Sequence, residues 1–190
     1  MNYHDTKAQL VAYRGQIADI RHKMRALQAQ VQPEQVSDYE FTVPHGKVRL
    51  SQLFGDKDTL FVIHNMGRSC PNCTMWADGF NGIYDHIVSR AAFVLSSPDL
   101  PEVQRAVALE RGWKFPMVSH AGTRFAADMG YAPAAGMMPG LSVLKMRNGS
   151  IQRVADSRFN IGDEFCAIWR LFDMLPEGAA GWHAKFSYEV

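Results

Sequence analysis

Cysteine is scarce in this chain, with three residues in 190. One pair and a remainder do not make the disulfide framework of a small secreted domain. Long hydrophobic runs are missing too: no apolar stretch exceeds about half a dozen residues, far short of the ~20 that span a bilayer. Neither sign of charge is in excess, since 20 Lys and Arg stand against 19 Asp and Glu. That balance gives no reason to expect nucleic acid or an acidic membrane surface as a partner. Repeats and low-complexity stretches are absent. The opening Met1-Asn-Tyr-His-Asp-Thr-Lys7 has no apolar core of a secretory signal, which points to the cytoplasm. What is present, 47% hydrophobic and 21% charged residues, suits a soluble globular domain with a full core.

Two of the three cysteines fall in Cys70-Pro71-Asn72-Cys73, just after the apolar run Thr59–His64 and at the start of a segment with helical spacing. A strand that delivers two cysteines to a helix N-terminus outlines a thiol-disulfide site. The first thiolate gains from the positive end of the helix and from N–H groups that lack helical partners. Pro71 suits the first helical turn, where its missing N–H has no partner to lose. Cys73, on the same helical face, can attack a mixed disulfide formed at Cys70.

The rest of the chain reads as a long helix followed by alternating strands and helices. From Asp5 to about Gln32, apolar residues from Leu10 to Val31 recur at alternating spacings of three and four, and Pro33 ends the segment. So narrow a stripe suits helix pairing and hence a homodimer; docking against the chain's own domain is the alternative. Strands are expected at Tyr39–Val43, Leu60–His64, Ala91–Leu95 and Phe115–Ser119. Helices are expected from the Cys pair to about Arg90, from Pro98 to Gly112, over Thr123–Gly130 and from Gly162 to Met174. Asn148-Gly149 predicts a tight turn between strands Leu141–Met146 and Ile151–Val154. The expected divisions are a helical extension (1–33), an α/β domain (34–176) and a tail (177–190).

This order resembles the thioredoxin-like fold, in the branch of the AhpC/TSA peroxiredoxins and cytochrome-maturation thioredoxins. Val48–Gly55, Leu60–Cys73 and Gly112–Pro116 carry that likeness. More specifically, Leu50–Phe54, His64-Asn-Met66, the Cys-Pro-x-Cys, Arg111–Pro116, Pro139–Val143 and Asp173–Pro176 are similar to the uncharacterised bacterial thioredoxin-like family DUF899, over roughly residues 1–178. The resemblance implies an α/β thioredoxin-like fold with a mixed sheet flanked by helices and an added long N-terminal helix; it lends no settled activity. The chain departs from the wider pattern in informative places. Where thioredoxins carry a buried acid, His64 stands, and Ser69 replaces the tryptophan before the first cysteine. Peroxiredoxins place Thr or Ser three residues before the peroxidatic cysteine and Pro four before that. Counting back gives Gly67 and Ile63 from Cys70, or Cys70 and Met66 from Cys73, so that motif is absent.

The residues expected to carry chemistry are Cys70 as the attacking thiol, Cys73 as the resolving one, and His64 as acceptor of the Cys73 proton. In thioredoxin folds a cis-proline faces the cysteines, and Pro139 is the candidate. Trp76, Met66 and Met75, close to the cysteines in sequence, and Met137 and Met138, directly before Pro139, are expected on an apolar substrate face, although core packing also accounts for them. Arg68 and His86 are candidates to raise the local positive potential. Cys166 reads as a packed core thiol. The expected activity is cytoplasmic thiol-disulfide exchange with protein or small-molecule thiols and disulfides, and it needs no cofactor. Two alternatives stay open. One is a metal module built from Cys70, Cys73 and a histidine such as His120; the other is a scaffold without catalysis.

Overall fold

The protein is described here by a computed structural model covering residues 2–189. Its contacts divide the chain into two units, Met1–Glu34 and Gln35–Val190. The first is dominated by helix α1 (Tyr3–Gln28), which opens with the Asn2 side chain accepting the Asp5 N–H and buries none of its residues. Among the described residues no helix is long and apolar enough to cross a membrane.

The sheet is built from β1 (Glu34–Val36), β2 (Glu40–Val43), β3 (Gly46–Arg49), β4 (Thr59–His64), β5 (Ala92–Ser97), β6 (Met117–Ser119), β7 (Gly140–Arg147) and β8 (Ser150–Arg158). The strand order is β1-β8-β7-β4-β5-β6-β2-β3. β4, β5 and β6 run parallel, while β7 pairs antiparallel with both β4 and β8. Helices α2 (Pro71–Gly82), α3 (Tyr84–Val88), α4 (Pro101–Arg111), α5 (Phe125–Asp128) and α6 (Ala167–Phe172) complete the domain. The β7–β8 turn places Asn148 and Gly149 at φ 51° and 75°, as a two-residue hairpin of this type requires.

Because side chains alternate along a strand, the sheet separates two cores. Leu60, Val62, Val94, Val118 and Leu144 face Leu50, Phe54, Phe125 and Tyr131. Phe61, Ile63, Phe93, Leu95 and Leu141 face Trp76 and Phe80 of α2, Tyr84 of α3 and Trp169 of α6. The thioredoxin-like α/β reading and the long first helix hold, but several boundaries move. The helix expected to run unbroken to Arg90 breaks at Ile83 (φ −118°, ψ 13°), directly after Gly82. The last helix starts only at Ala167, because the Asp163 carboxylate accepts the N–H groups of Asn160 and Phe165 and holds that stretch as a turn. Strand β1 was not anticipated, and a segment of three residues has too little pattern to show one.

Candidate thiol site

The site lies where β4, β5 and β6 end. β4 hands the chain to residues 65–69, which lead into α2. Here the backbone turns through Gly67 at φ 103°, a conformation that costs glycine little. A Cβ on Gly67 would approach the Asp99 carboxylate to 3.1 Å. That carboxylate, just beyond β5, accepts the Arg68 N–H at 2.8 Å and the Ser97 hydroxyl at 3.2 Å. Asn65 folds its side-chain oxygen onto the Gly67 N–H at 2.8 Å, while its own N–H bonds the Ser96 carbonyl. Gln104 of α4 donates to both Ser97 and the Val118 carbonyl. Asn65, Asp99 and Gln104 thus fix the approach to the cysteines. None of them was anticipated from sequence, since each is a lone polar residue tied to its neighbours by the fold.

Cys70 is the N-cap of α2. Its sulfur accepts the Cys73 N–H at 3.1 Å, its carbonyl takes the Thr74 N–H and hydroxyl, and Pro71 opens the helix. Both cysteines, and Cys166, are free thiols. Cys70 is 9% exposed and Cys73 is 2% exposed. Hydrogen bonding from the Cys73 thiol, helped by the backbone N–H groups of Cys73 and Asn72 and opposed by burial, lowers the Cys70 pKa from 9.0 to about 7. For Cys73 the same contact works in reverse. Its proton is held by Cys70, burial adds to the effect, and its pKa rises well above the ordinary thiol value despite a hydrogen bond from Met66. The two shifts run in opposite directions, so the first deprotonation of the pair favours Cys70.

The other expected site residues are placed differently. His64 occupies the β4 position whose side chain falls on the face opposite α2, stacked on Tyr131 with ring centroids 3.7 Å apart and near Phe125 at 5.5 Å. Its Nε2 pairs with the Ser142 hydroxyl at 2.9 Å, and Nδ1 is buried without a partner. Burial, then the nearby charges of His120 and Arg153, hold its pKa well below 6.5. The expected role as proton acceptor for Cys73 is therefore corrected: its bond runs to Ser142, and it is a weak base. Trp76, expected on a substrate face, is instead a core residue, 3% exposed, packed on Phe159 with its indole N–H directed to Asp163.

Pro139 sits at the correct end of the sheet, since its neighbour Gly140 is the register partner of His64. The expected cis bond is not found: no described peptide bond is cis. The Phe159 N–H bonds the Pro139 carbonyl and the Met138 N–H bonds the Tyr131 carbonyl, so the chain enters β7 already extended. Met138 is half-buried against the Tyr131 core. His120 turns its Nδ1 to the Ser96 hydroxyl at 2.9 Å, and burial lowers its pKa to about 4. Among the described residues no three or more His, Cys, Asp or Glu side chains are arranged to hold a metal ion. Cys166 is buried in the aromatic core.

Comparison with solved structures gives the same fold. The peroxidoxin BcpB from Mycobacterium tuberculosis is 24% identical at a TM-score of 0.54, over 60% of this chain and 77% of that one. A mutant of Xanthomonas campestris peroxiredoxin Q, with one cysteine changed to serine, is 17% identical at a TM-score of 0.59, over 74% and 95%. A peroxiredoxin-like protein from Aquifex aeolicus is 13% identical at 0.54, over 66% and 74%. A search of the curated proteins gives no match. One family model matches, over residues 5–186: bacterial protein of unknown function, DUF899.

Proposed function

The chain belongs to the DUF899 family, and from that premise we propose that it is a thiol-disulfide oxidoreductase in which Cys70 attacks and Cys73 resolves. The observation that carries this reading is the Cys73 N–H bonded to the Cys70 sulfur at 3.1 Å on a helix N-terminus. That geometry favours negative charge on one sulfur and keeps the other close and protonated. The Cys70 thiolate attacks one sulfur of a substrate disulfide, forming a mixed disulfide and expelling the other sulfur as a thiolate, which takes up a proton. Cys73 then gives up its proton and attacks the Cys70 sulfur, closing the Cys70–Cys73 bond and releasing the second substrate thiol. The protein dithiol is oxidised by two electrons and the substrate disulfide is reduced to two thiols; run backwards, the same steps oxidise a dithiol.

Peroxide reduction is less well supported. Neither cysteine has Thr or Ser three residues before it, and the more sheltered sulfur is the one whose thiolate is disfavoured. The partners this chemistry fits are protein or small-molecule thiols and disulfides.

Alkylation by iodoacetamide followed across pH tests the assignment. Cys70 should react faster than Cys73, with its rate half-maximal near pH 7. A Cys73→Ser protein should trap mixed disulfides through Cys70, Cys70→Ser should trap almost none, and Cys166→Ser should behave like the wild type. Equal alkylation of Cys70 and Cys73 at neutral pH, with nothing trapped by either variant, would overturn the proposal.

A further inference from the structure

Helix α1 buries none of its residues. Yet Leu10, Tyr13, Ile17, Ile20, Met24 and Leu27 follow one another at alternating spacings of three and four, each 46–72% exposed. A helix that closes no core of its own is marginal in water, and an apolar seam along it is what a partner covers. The seam takes only two positions per seven-residue repeat. The positions on either side of it are polar, so its width matches one partner helix rather than the broader face that docks on a globular core.

The flanks identify that helix. One flank carries Lys7, Arg14 and Arg21; the other carries Gln9, Gln16 and Lys23. In a parallel pair unlike flanks meet, setting Arg14 against Gln9 and Arg21 against Gln16 of the other copy. In an antiparallel pair like flanks meet, setting Arg14 against Arg21 twice over, and opposed like charges are destabilising. A buried aliphatic side chain removes roughly 60–120 Å² from water, so the seam covers roughly 600 Å² per copy, close to the ~800 Å² of a stable specific interface. From seam width, flank charge and area we infer that α1 pairs with α1 of a second copy as a parallel two-stranded coiled coil. The inference is independent of the thiol chemistry.

Light scattering on the full chain tests it. The wild type should have twice the chain mass. A variant with Ile17→Glu and Ile20→Glu should have the mass of one chain while keeping the wild-type unfolding midpoint and Cys70 alkylation rate, which separates loss of pairing from loss of fold. Leu10→Cys should cross-link to itself in oxidised glutathione to an extent the wild type does not show. A monomeric wild type, as expected if the true partner is an acidic helix of another protein, overturns the inference. So does a dimer that survives both glutamates. Cross-linking only when Leu10→Cys and Leu27→Cys chains are mixed overturns the parallel order.

Discussion

On one face of the sheet Phe61, Ile63, Phe93 and Leu95 meet Trp76, Phe80 and Trp169 in an aromatic core from which α2 rises with its two cysteines. On the other face, near the ends of the same strands, His64, Ser142, Ser96 and His120 form two buried hydrogen-bonded pairs beneath Phe125 and Tyr131. The first face holds up the site mainly by apolar packing, with the Trp76 and Trp113 indole N–H groups directed to Asp163 and Asp78. The second buries imidazoles whose pKa values are pushed down, so its rings stay neutral at the pH where the thiols react. The likeness to thioredoxins sets His64 beside Cys73, whereas alternation along β4 turns its ring to the face opposite α2. A residue six positions from a nucleophile can therefore be on the wrong side of a sheet to serve it.

The largest expected effect comes from breaking the aromatic face. Trp76→Ala removes a large side chain from a closed core and should cost about 3–5 kcal/mol in denaturant unfolding. The milder Trp76→Phe should lower the unfolding midpoint while the Cys70 alkylation profile stays near pH 7, as suits a packing group. A clear change in substrate rate with unchanged stability would restore Trp76 to the substrate face.

Acid should break the opposite face. His120 is held neutral by burial, with a folded pKa of about 4 against 6.5. Its folded value is depressed, so between those pH values the unfolded chain binds the proton and the folded chain does not. Stability is therefore full above pH 6.5 and falls as pH drops toward 4, by about 3 kcal/mol from this residue alone. His64, shifted in the same direction, should steepen the loss. Unfolding midpoints measured from about pH 7 to about pH 4 check this; a flat profile would mean that these rings are solvated.

How far the sequence could be read follows from the same contrast. The cysteine pair, β4 and the Asn148-Gly149 turn rest on local signals, namely fixed spacing, a continuous apolar run and turn chemistry, and each was legible. Asn65, Asp99 and Gln104 were not. Asn65 turns back onto Gly67 two residues on, but the bonds from Asn65 to Ser96, from Arg68 to Asp99 and from Gln104 to Val118 exist only because the parallel order of β4, β5 and β6 brings those chain ends together. The shortened α6 was missed for a related reason, because hydrogen bonds from Asn160 and Phe165 to Asp163 override what helix periodicity suggests.

A smaller effect is expected at the join between strand ends and helix. Asp99→Ala removes the acceptor of the solvent-exposed Arg68 N–H and of the Ser97 hydroxyl and should cost about 1–1.5 kcal/mol. It also loosens the backbone that leads into Cys70. The alkylation midpoint of Cys70 should move up from about 7 toward the ordinary thiol value, whereas a role confined to stability would leave it fixed.

The smallest effect, and the sharpest test of the two-face comparison, is His64→Leu. If the ring on the Tyr131 side takes no part in proton transfer, replacing it with an apolar group of similar size leaves the Cys70–Cys73 pair untouched. The cysteines keep their mutual hydrogen bonds and the helix cap, the sources of the lowered Cys70 pKa. The rate and pH midpoint of Cys70 alkylation should match the wild type, and so should the rate at which Cys73 closes the mixed disulfide. The change should appear in the acid profile alone. One depressed imidazole has gone, so the fall in stability below the ordinary histidine pKa of 6.5 becomes shallower. The Ser142 hydroxyl meanwhile loses its partner and lowers the neutral-pH baseline by about 1 kcal/mol. Slowed closure by Cys73 with an unchanged attack by Cys70 would mean that His64 accepts the resolving proton across the sheet after all.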